Sequence, residues 1–316
     1  MPARSRTILT ALLIASSVLL TSSHYASAQT YIPTRINKAI ELLENDQPIY
    51  YTQVDGGGYE EGKAMAQTWA DYITYNMEHS PFNTTDLRAF MQGLVDGGPT
   101  KSGHRTPTVV AVLPFGGINE TVMMANYWMV EQVLGSGVHG VLLAHARDAD
   151  VAEILVQSAR YPHTPYSEGL PEGLRGNGGQ GFAARIWGVS NQEYQRLAEP
   201  WPLNPEGEIL IGLKIEDRHA LEHSEASTAV PGIGFAEWGP GDMRMSYDAD
   251  SGSAEVLMDA RARVLAATKA AGIPFLNTVN ADNIEAMIDE GVRIGANPGA
   301  EVADQGRRYT NRTMPW

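Results

Sequence analysis

Eight apolar, β-branched runs set the tightest limit on how this chain can fold. They are Pro48–Val54, Asp71–Asn76, Thr108–Pro114, Gly140–Ala144, Ile209–Ile215, Gly232–Trp238, Ile273–Val279 and Val292–Ala296. Stretches with helical periodicity separate several of them: Tyr59–Trp69, Thr84–Val95, Val122–Leu134, Val151–Ser158, Ser253–Ala271 and Asn283–Glu290, with a short amphipathic helix at Ile36–Leu43 before the first. Strands that are apolar on both faces and alternate with helices pair in parallel through crossover helices. Eight such units predict an α/β protein, a single-domain (β/α)8 TIM barrel. A doubly wound open sheet is the alternative, but no G-x-G-x-x-G follows a first strand. The longest irregular stretch, residues 161–205, is rich in Gly, Pro and Arg and is expected to be a long loop partly covering the active-site face.

The segment before the first strand has another purpose. Arg4 and Arg6 precede an apolar run, Ile8–Leu20, and Ala26-Ser27-Ala28 offers small residues for cleavage after Ala28. Residues 1–28 therefore read as a secretory signal peptide and residues 29–316 as the barrel, with a periplasmic or secreted destination. An uncleaved anchor is the alternative. No Cys follows the apolar run, which excludes a lipoprotein, and no later segment is long and apolar enough to span a bilayer. The chain has no cysteine at all. That excludes disulfides, thiolate metal sites and thiol nucleophiles, and it fits an oxidising compartment. With 23 basic against 37 acidic residues the net charge is −14, which argues against nucleic acid or an anionic membrane as partner.

In a barrel, chemistry gathers where strands end, and four ends carry polar groups: Asn76-Met77-Glu78-His79, Ala144-His145-Ala146-Arg147, Lys214-Ile215-Glu216-Asp217 and Gly239-Pro240-Gly241-Asp242. Glu216 and Asp242 follow neighbouring strands, and two converging carboxylates repel unless a cation joins them. A hard divalent ion, Mg2+ or Mn2+ with Co2+ as a further option, would do so; a helix cap plus a salt bridge is the plainer reading. Gly239, Pro240 and Gly241 leave the backbone bare enough to approach an anion, or simply form a tight turn. Imidazole is the side chain suited to proton transfer at neutral pH, so His79 is a candidate general base, or a structural histidine. Arg175, in Gly173-Leu174-Arg175-Gly176, either grips an anionic substrate or is solvated. Lys214 shares a strand face with Glu216, so it bridges to that carboxylate or binds a substrate anion; a Schiff-base role sits badly beside metal-binding acids. Asn83, Asn119 and Asn311 head glycosylation sequons. Trp128, Trp187, Trp201 and Trp238 line a pocket or, more simply, fill the core.

In these motifs the chain resembles the HpcH/HpaI aldolase/citrate lyase family. Asp71-Tyr-Ile-Thr-Tyr-Asn-Met-Glu78-His79-Ser-Pro is similar to its second-strand motif. Arg160-Tyr161-Pro162 followed by Gly173-Leu-Arg175-Gly176 is similar to its RYPP…GxRG segment. Ile215-Glu216-Asp217-Arg218 resembles I-E-T-R, and Gly239-Pro240-Gly241-Asp242-Met243 resembles G-P-x-D-L. The resemblance implies a metal-dependent class II aldolase acting on a 2-oxo acid or related carboxylate. Glu216 and Asp242 would hold the ion, His79 would move the proton, and Arg175 with residues 239–241 would orient the substrate. Departures are visible. The third strand, Val110–Pro114, ends without the family's Arg. Lys214 stands where the family has Gln, Asn76 where it has Asp, and Gly135 where an acid usually partners the histidine. Lys214 is expected to replace the missing Arg, and His145 to share in proton transfer. The altered relay keeps open a different reaction on the same metal platform (a citrate-like or thioester lyase, a hydrolase or an isomerase), or a non-catalytic binding protein. Family members are often hexamers that exchange a C-terminal helix, but this C-terminus, Gln305–Trp316, is short, polar and basic, which leaves a homo-oligomer open.

Overall fold

The computed structural model describes residues 31–163, 170–247 and 253–316; the signal-peptide reading lies outside them. All eight expected strands form: β1 Ile49–Val54, β2 Tyr72–Asn76, β3 Thr108–Gly116, β4 Gly140–Ala144, β6 Ile209–Ile215, β7 Phe235–Trp238, β8 Phe275–Thr278 and β9 Val292–Ala296. A two-residue strand, β5 (Pro200–Trp201), is additional; it pairs with the start of β6 and is not a stave of the barrel. Every pairing is parallel, β1 bonds to β9, and β4 bonds to β6, so the sheet closes. The expected helices occupy the crossovers, giving one (β/α)8 barrel from Tyr31 to Trp316.

Burial on both strand faces explains why the pattern was so readable. Tyr72, Val110, Val112, Leu142, Leu210, Phe235, Leu276 and Ile294 pack inside the barrel. Their strand neighbours Ile73, Val109, Ala111, Val141, Ile211, Ala236 and Phe275 face outward against the helices. Size matching matters inside. A Cβ on Gly212 would lie 2.1 Å from the Phe235 ring, so the missing side chain makes room for that aromatic.

The end where the strands begin is shut. Ala39, Ile40 and Leu42 of the helix Lys38–Glu44, together with Met314 of the tail, plug the inner core from below. The C-terminus is not a free basic tail. Gln305 lies within a helix, Ala300–Tyr309, and Arg307 and Arg312 are buried against Asp71 at 3.3 and 2.7 Å. Asn83 and Asn119 cap helices with their side chains, the structural use that such residues commonly have.

The stretch from residue 161 to 205 corrects the expectation of a loop over the active-site face. Its described part contains helices Gln180–Trp187 and Asn191–Leu197. Trp187 donates its indole N–H to the Gly137 carbonyl, the Tyr194 hydroxyl donates to Leu134, and Arg105 donates to Ile186. Those partners lie on the turns leading into β3 and β4, so the segment packs at the end where strands start. The reason is chain order: it follows a crossover helix, Ala149–Ala159, which has already returned the chain to that end.

Candidate active site

At the opposite end four strand termini converge. Asn76, the last residue of β2, shapes the turn after it: its Oδ1 accepts from the Glu78 and His79 amides at 3.0 and 3.3 Å, while its Nδ2 donates to Asp55 at 2.8 Å. That turn carries Glu78 to the mouth. On β6 the two-residue spacing aims Lys214 and Glu216 to the same side. The Lys214 ammonium stands between two carboxylates, 2.8 Å from Glu78 Oε2 and 3.0 Å from Glu216 Oε2. Glu216 fits because Gly239, at the matching level on the next strand, has no side chain: a Cβ there would lie 2.5 Å from Glu216 Cβ and 2.8 Å from Oε2.

His145 follows β4 in a left-handed backbone conformation, φ +50°, rare for a residue with a side chain and a mark of strain held by surroundings. The holding contacts are clear. Its amide donates to Glu216 Oε1 at 3.0 Å, and its Nδ1 lies 3.0 Å from Asp217 Oδ2. Asp217 also accepts from Arg147 at 3.1 Å and from the amides of His219 and Ala220, capping the helix Arg218–Glu222. Although burial works against it, these donors hold the Asp217 carboxyl well below the usual carboxylate range. The bond to ionised Asp217 in turn raises the His145 imidazole, with Glu216 and Asp242 adding to the effect. His145 Nε2 faces Glu216 at 3.9 Å.

A carboxylate with no motif to announce it completes the cluster. Glu237 is the register partner of Lys214 on β7, one layer below Glu216. It is half-buried inside the barrel, and burial pushes its carboxyl up to about 7, against the pull of Lys214. Tyr51 and Tyr72, ring centroids 5.1 Å apart, lie in its field below. Burial alone would lower the Lys214 ammonium; Glu237, Glu216 and Glu78 more than reverse this and keep it charged. Three carboxylates around one ammonium leave a surplus of negative charge.

This donor set fits a divalent cation. One ligand atom each from Glu78, His145 and Glu216 lies within 4.8 Å of the others, and oxygen and imidazole donors suit Mg2+, Mn2+ or Co2+. Asp242 is not in that close group. It occupies the first turn of the helix Pro240–Ser246, on the same rim and near enough to influence His145, and among the described residues it has no hydrogen-bond or ion-pair partner. Thus Glu216 lies at the centre of the cluster, while Asp242 flanks it and Glu78 takes the nearer place. His79 stands at the rim with its side chain 68% exposed, 3.7 Å from Glu78.

One sequence assignment is not brought into the site. Arg175 is buried between Tyr161 and Tyr194, 4.4 and 5.5 Å from their rings, and donates to the Tyr194 hydroxyl at 3.0 Å and to the Ala198 carbonyl at 3.4 Å. It therefore belongs to the strand-start end and orients nothing at the mouth. Gly135 ends the helix Glu120–Leu134 at that same end. Of the tryptophans, Trp187 and Trp238 are core, while Trp128 is exposed and packs edge-on against Phe82. Glu78 and Asp217 were visible as neighbours of named motif residues; Glu237 had no signal beyond an acid inside an apolar strand.

Known proteins place this geometry in context. Residues 63–300 match the family described as HpcH/HpaI aldolase/citrate lyase. A hydroxypyruvate/pyruvate aldolase of Paraburkholderia phytofirmans is 26% identical over 243 residues, covering 76% of this chain and 82% of its own. A 2-keto-3-deoxy-L-rhamnonate aldolase of Klebsiella pneumoniae is 28% identical over 230 residues, covering 71% and 74%. Among solved structures, an HpcH/HpaI aldolase/citrate lyase family protein from Burkholderia cenocepacia superposes with a TM-score of 0.66 at 22% identity, over 87% of this chain and 97% of that one.

Proposed function

This chain belongs to the HpcH/HpaI aldolase/citrate lyase family and is accordingly a lyase of the aldolase kind; from that premise we propose that it is an exported, metal-dependent enzyme that cleaves or forms a carbon–carbon bond next to a 2-oxo acid. The observation that carries the reading is the Glu78–Lys214–Glu216 cluster, acidic beyond what its one ammonium balances, at the end of the barrel where active sites lie. Relatives whose names specify pyruvate, hydroxypyruvate and a 2-keto-3-deoxy sugar acid support the substrate class.

Glu216, Glu78 and Asp242 are the oxygen donors that would hold the ion. When bound, a divalent ion supplies Lewis acidity, drawing electrons from the carbonyl of the 2-oxo acid and favouring the enolate. The protein's own groups do the rest. Asp217 holds the His145 Nδ1 proton and so aims Nε2 into the site, where it can accept or return a proton. His79, exposed at the rim beside Glu78, lies where it would pass a proton between the site and solvent. The space that Gly239 leaves is taken by Glu216, but Gly241 faces open space, with nothing within 4 Å of an added Cβ, and leaves room on the rim for a substrate carboxylate. One observation favours a second reading, a different reaction on the same platform. The Asn76 carbonyl oxygen is committed to two backbone amides and cannot serve as an acid in a proton relay.

The test is direct. Protein stripped with a chelator and reloaded with Mg2+, Mn2+ or Co2+ is given 4-hydroxy-2-oxo acids or oxaloacetate, and pyruvate is followed with a coupled dehydrogenase. Pyruvate release that requires the metal and disappears in Glu216→Gln is expected; no release from any member of the panel with any metal sinks the lyase reading. Export is checked separately by N-terminal sequencing of protein from the periplasm or medium, where the first residue should be Gln29. No helix among the described residues is long and apolar enough to cross a membrane.

A further inference from the structure

Lys214 occupies the space between the carboxylates that a metal ion would need. We infer that Lys214 is a built-in counter-cation, bridging Glu78 and Glu216 while the metal is away, and that Glu237 is the carboxylate that receives its ammonium when a divalent ion enters. The inference rests on the metal-site reading above and concerns how the chain admits the ion.

Three observations carry it. First, the ammonium contacts both Glu78 Oε2 and Glu216 Oε2, at 2.8 and 3.0 Å, so one positive charge is shared by two acids that a divalent ion would otherwise bridge. A bare pair of carboxylates this close would repel; the lysine keeps the mouth assembled. Second, Lys214 and Glu237 are register partners on adjacent parallel strands, Lys214↔Glu237. Strand neighbours lie roughly 4.8 Å apart, so rotation about the flexible lysine stem carries the ammonium from one acid to the other with the backbone still. Third, Glu237 lies inside the barrel and makes no hydrogen bond of its own among the described residues, while its charge acts on Lys214. An acid inside a barrel without a bonded partner is costly, and a lysine displaced from above would satisfy it. Lys214 and Glu237 then form a pair one layer below Glu216, so the lysine has a carboxylate partner in either state and Glu237 gains one.

Calorimetric titration of chelator-stripped protein with Mn2+ alone tests this without reference to turnover. Lys214→Met removes the competitor, so Mn2+ should bind at least tenfold more tightly than to the unaltered chain. Glu237→Gln leaves the Glu78–Lys214–Glu216 bridge intact, and with it the fold, but removes the receiving acid; Mn2+ should bind several-fold more weakly. Thermal unfolding adds a second reading: without metal Lys214→Met should melt lower, and Mn2+ should raise its midpoint by more than it raises that of the unaltered protein. Lys214→Gln replaces the methionine variant should the latter not fold. Equal Mn2+ affinity in all three proteins, or weaker binding in Lys214→Met, overturns the inference while leaving the metal site standing. Absence of binding in every protein removes the metal site as well.

Discussion

The two ends of the barrel handle buried charge in opposite ways. Where the strands begin, one acid is surrounded by cations: Asp71 is fully buried and meets Arg312 at 2.7 Å, Lys38 at 3.1 Å and Arg307 at 3.3 Å, and it also accepts the Tyr50 amide at 3.0 Å. Beside it His104 links Glu41 to Ser102, each at 2.9 Å. Where the strands end, the proportion is inverted, with Glu78, Glu216 and Glu237 around Lys214 alone. The closed end is a fastening that joins the plug helix and the C-terminal tail to β1 and β2. The open end is left short of positive charge. A surplus of one sign held at a mouth has no structural benefit, because like charges repel; it is retained where an ion or substrate of the other sign is to be bound.

The sharpest way to break this contrast is to remove the central acid at each end. Asp71→Ala leaves three cations buried around an empty space, and it should lower stability by about 3–5 kcal/mol, the usual cost of breaking a buried ion pair from one side. Glu78→Gln at the mouth should change stability by less than about 1 kcal/mol, since it relieves repulsion as it loses the lysine contact. Urea midpoints for the two variants settle the matter; similar losses at both ends would show that the mouth is also a fastening. Next in size is the catalytic effect of Glu216→Gln. It should reduce kcat/KM for pyruvate release by about 10²- to 10³-fold, the range typical of one group that stabilises charge in the transition state, while the urea midpoint holds or rises. A variant that melts early and turns over normally would reverse the assignment of the two ends.

The contrast also explains what could be read from the residues in advance. The eight staves were legible because burial on both faces makes each a continuous apolar run, and Glu216 was legible because it interrupts such a run at its end. Glu237 was hidden by the same physics. When both faces of a strand are buried, a two-residue period cannot separate the barrel interior from the helix-covered exterior, and an acid within Phe235–Trp238 gives no hint of facing a lysine across the register. Arg175 was misplaced for a different reason. A glycine-rich loop with an arginine looks alike at either end of a barrel. Counting elements would have placed it, because the loop follows the crossover helix, recognised as Val151–Ser158, and a helix that follows a strand returns the chain to the starting end.

A milder test uses acidity at the closed end. His139 is buried, its Nδ1 accepts the Val109 amide at 3.1 Å, and its ring stacks on Trp187. Burial lowers its imidazole from 6.5 to about 3, so the folded protein keeps it neutral while the unfolded chain binds a proton. A histidine with a depressed value stabilises the fold above its unfolded pKa, and that contribution is lost as pH falls from about 6.5 toward 3. Within that window stability should drop by up to about 1.4 kcal/mol per pH unit from this one proton. His139→Gln, which can still accept from Val109, should flatten the slope measured by urea unfolding between pH 6.5 and 5. An unchanged slope would mean that the closed end is less dry than its packing indicates.

The smallest expected effect is the one most able to separate the ends. Arg175 stacks on Tyr161 and donates to Tyr194, and Tyr194 passes a hydrogen bond on to Leu134 just before β4. Arg175→Lys keeps the charge but loses the planar stack and the forked donation. Stability should fall by about 1 kcal/mol, in the range of one buried cation–π contact or hydrogen bond. The values of kcat and KM for a 2-oxo acid should remain within twofold, because the residue has no contact with the mouth. The opposite pattern, a raised KM at unaltered stability, would mean that this loop reaches substrate by a route the folded chain does not contain, for instance from a neighbouring copy. Comparing KM at increasing protein concentration would expose such a contribution, since a residue supplied by a second copy acts only when the copies are assembled.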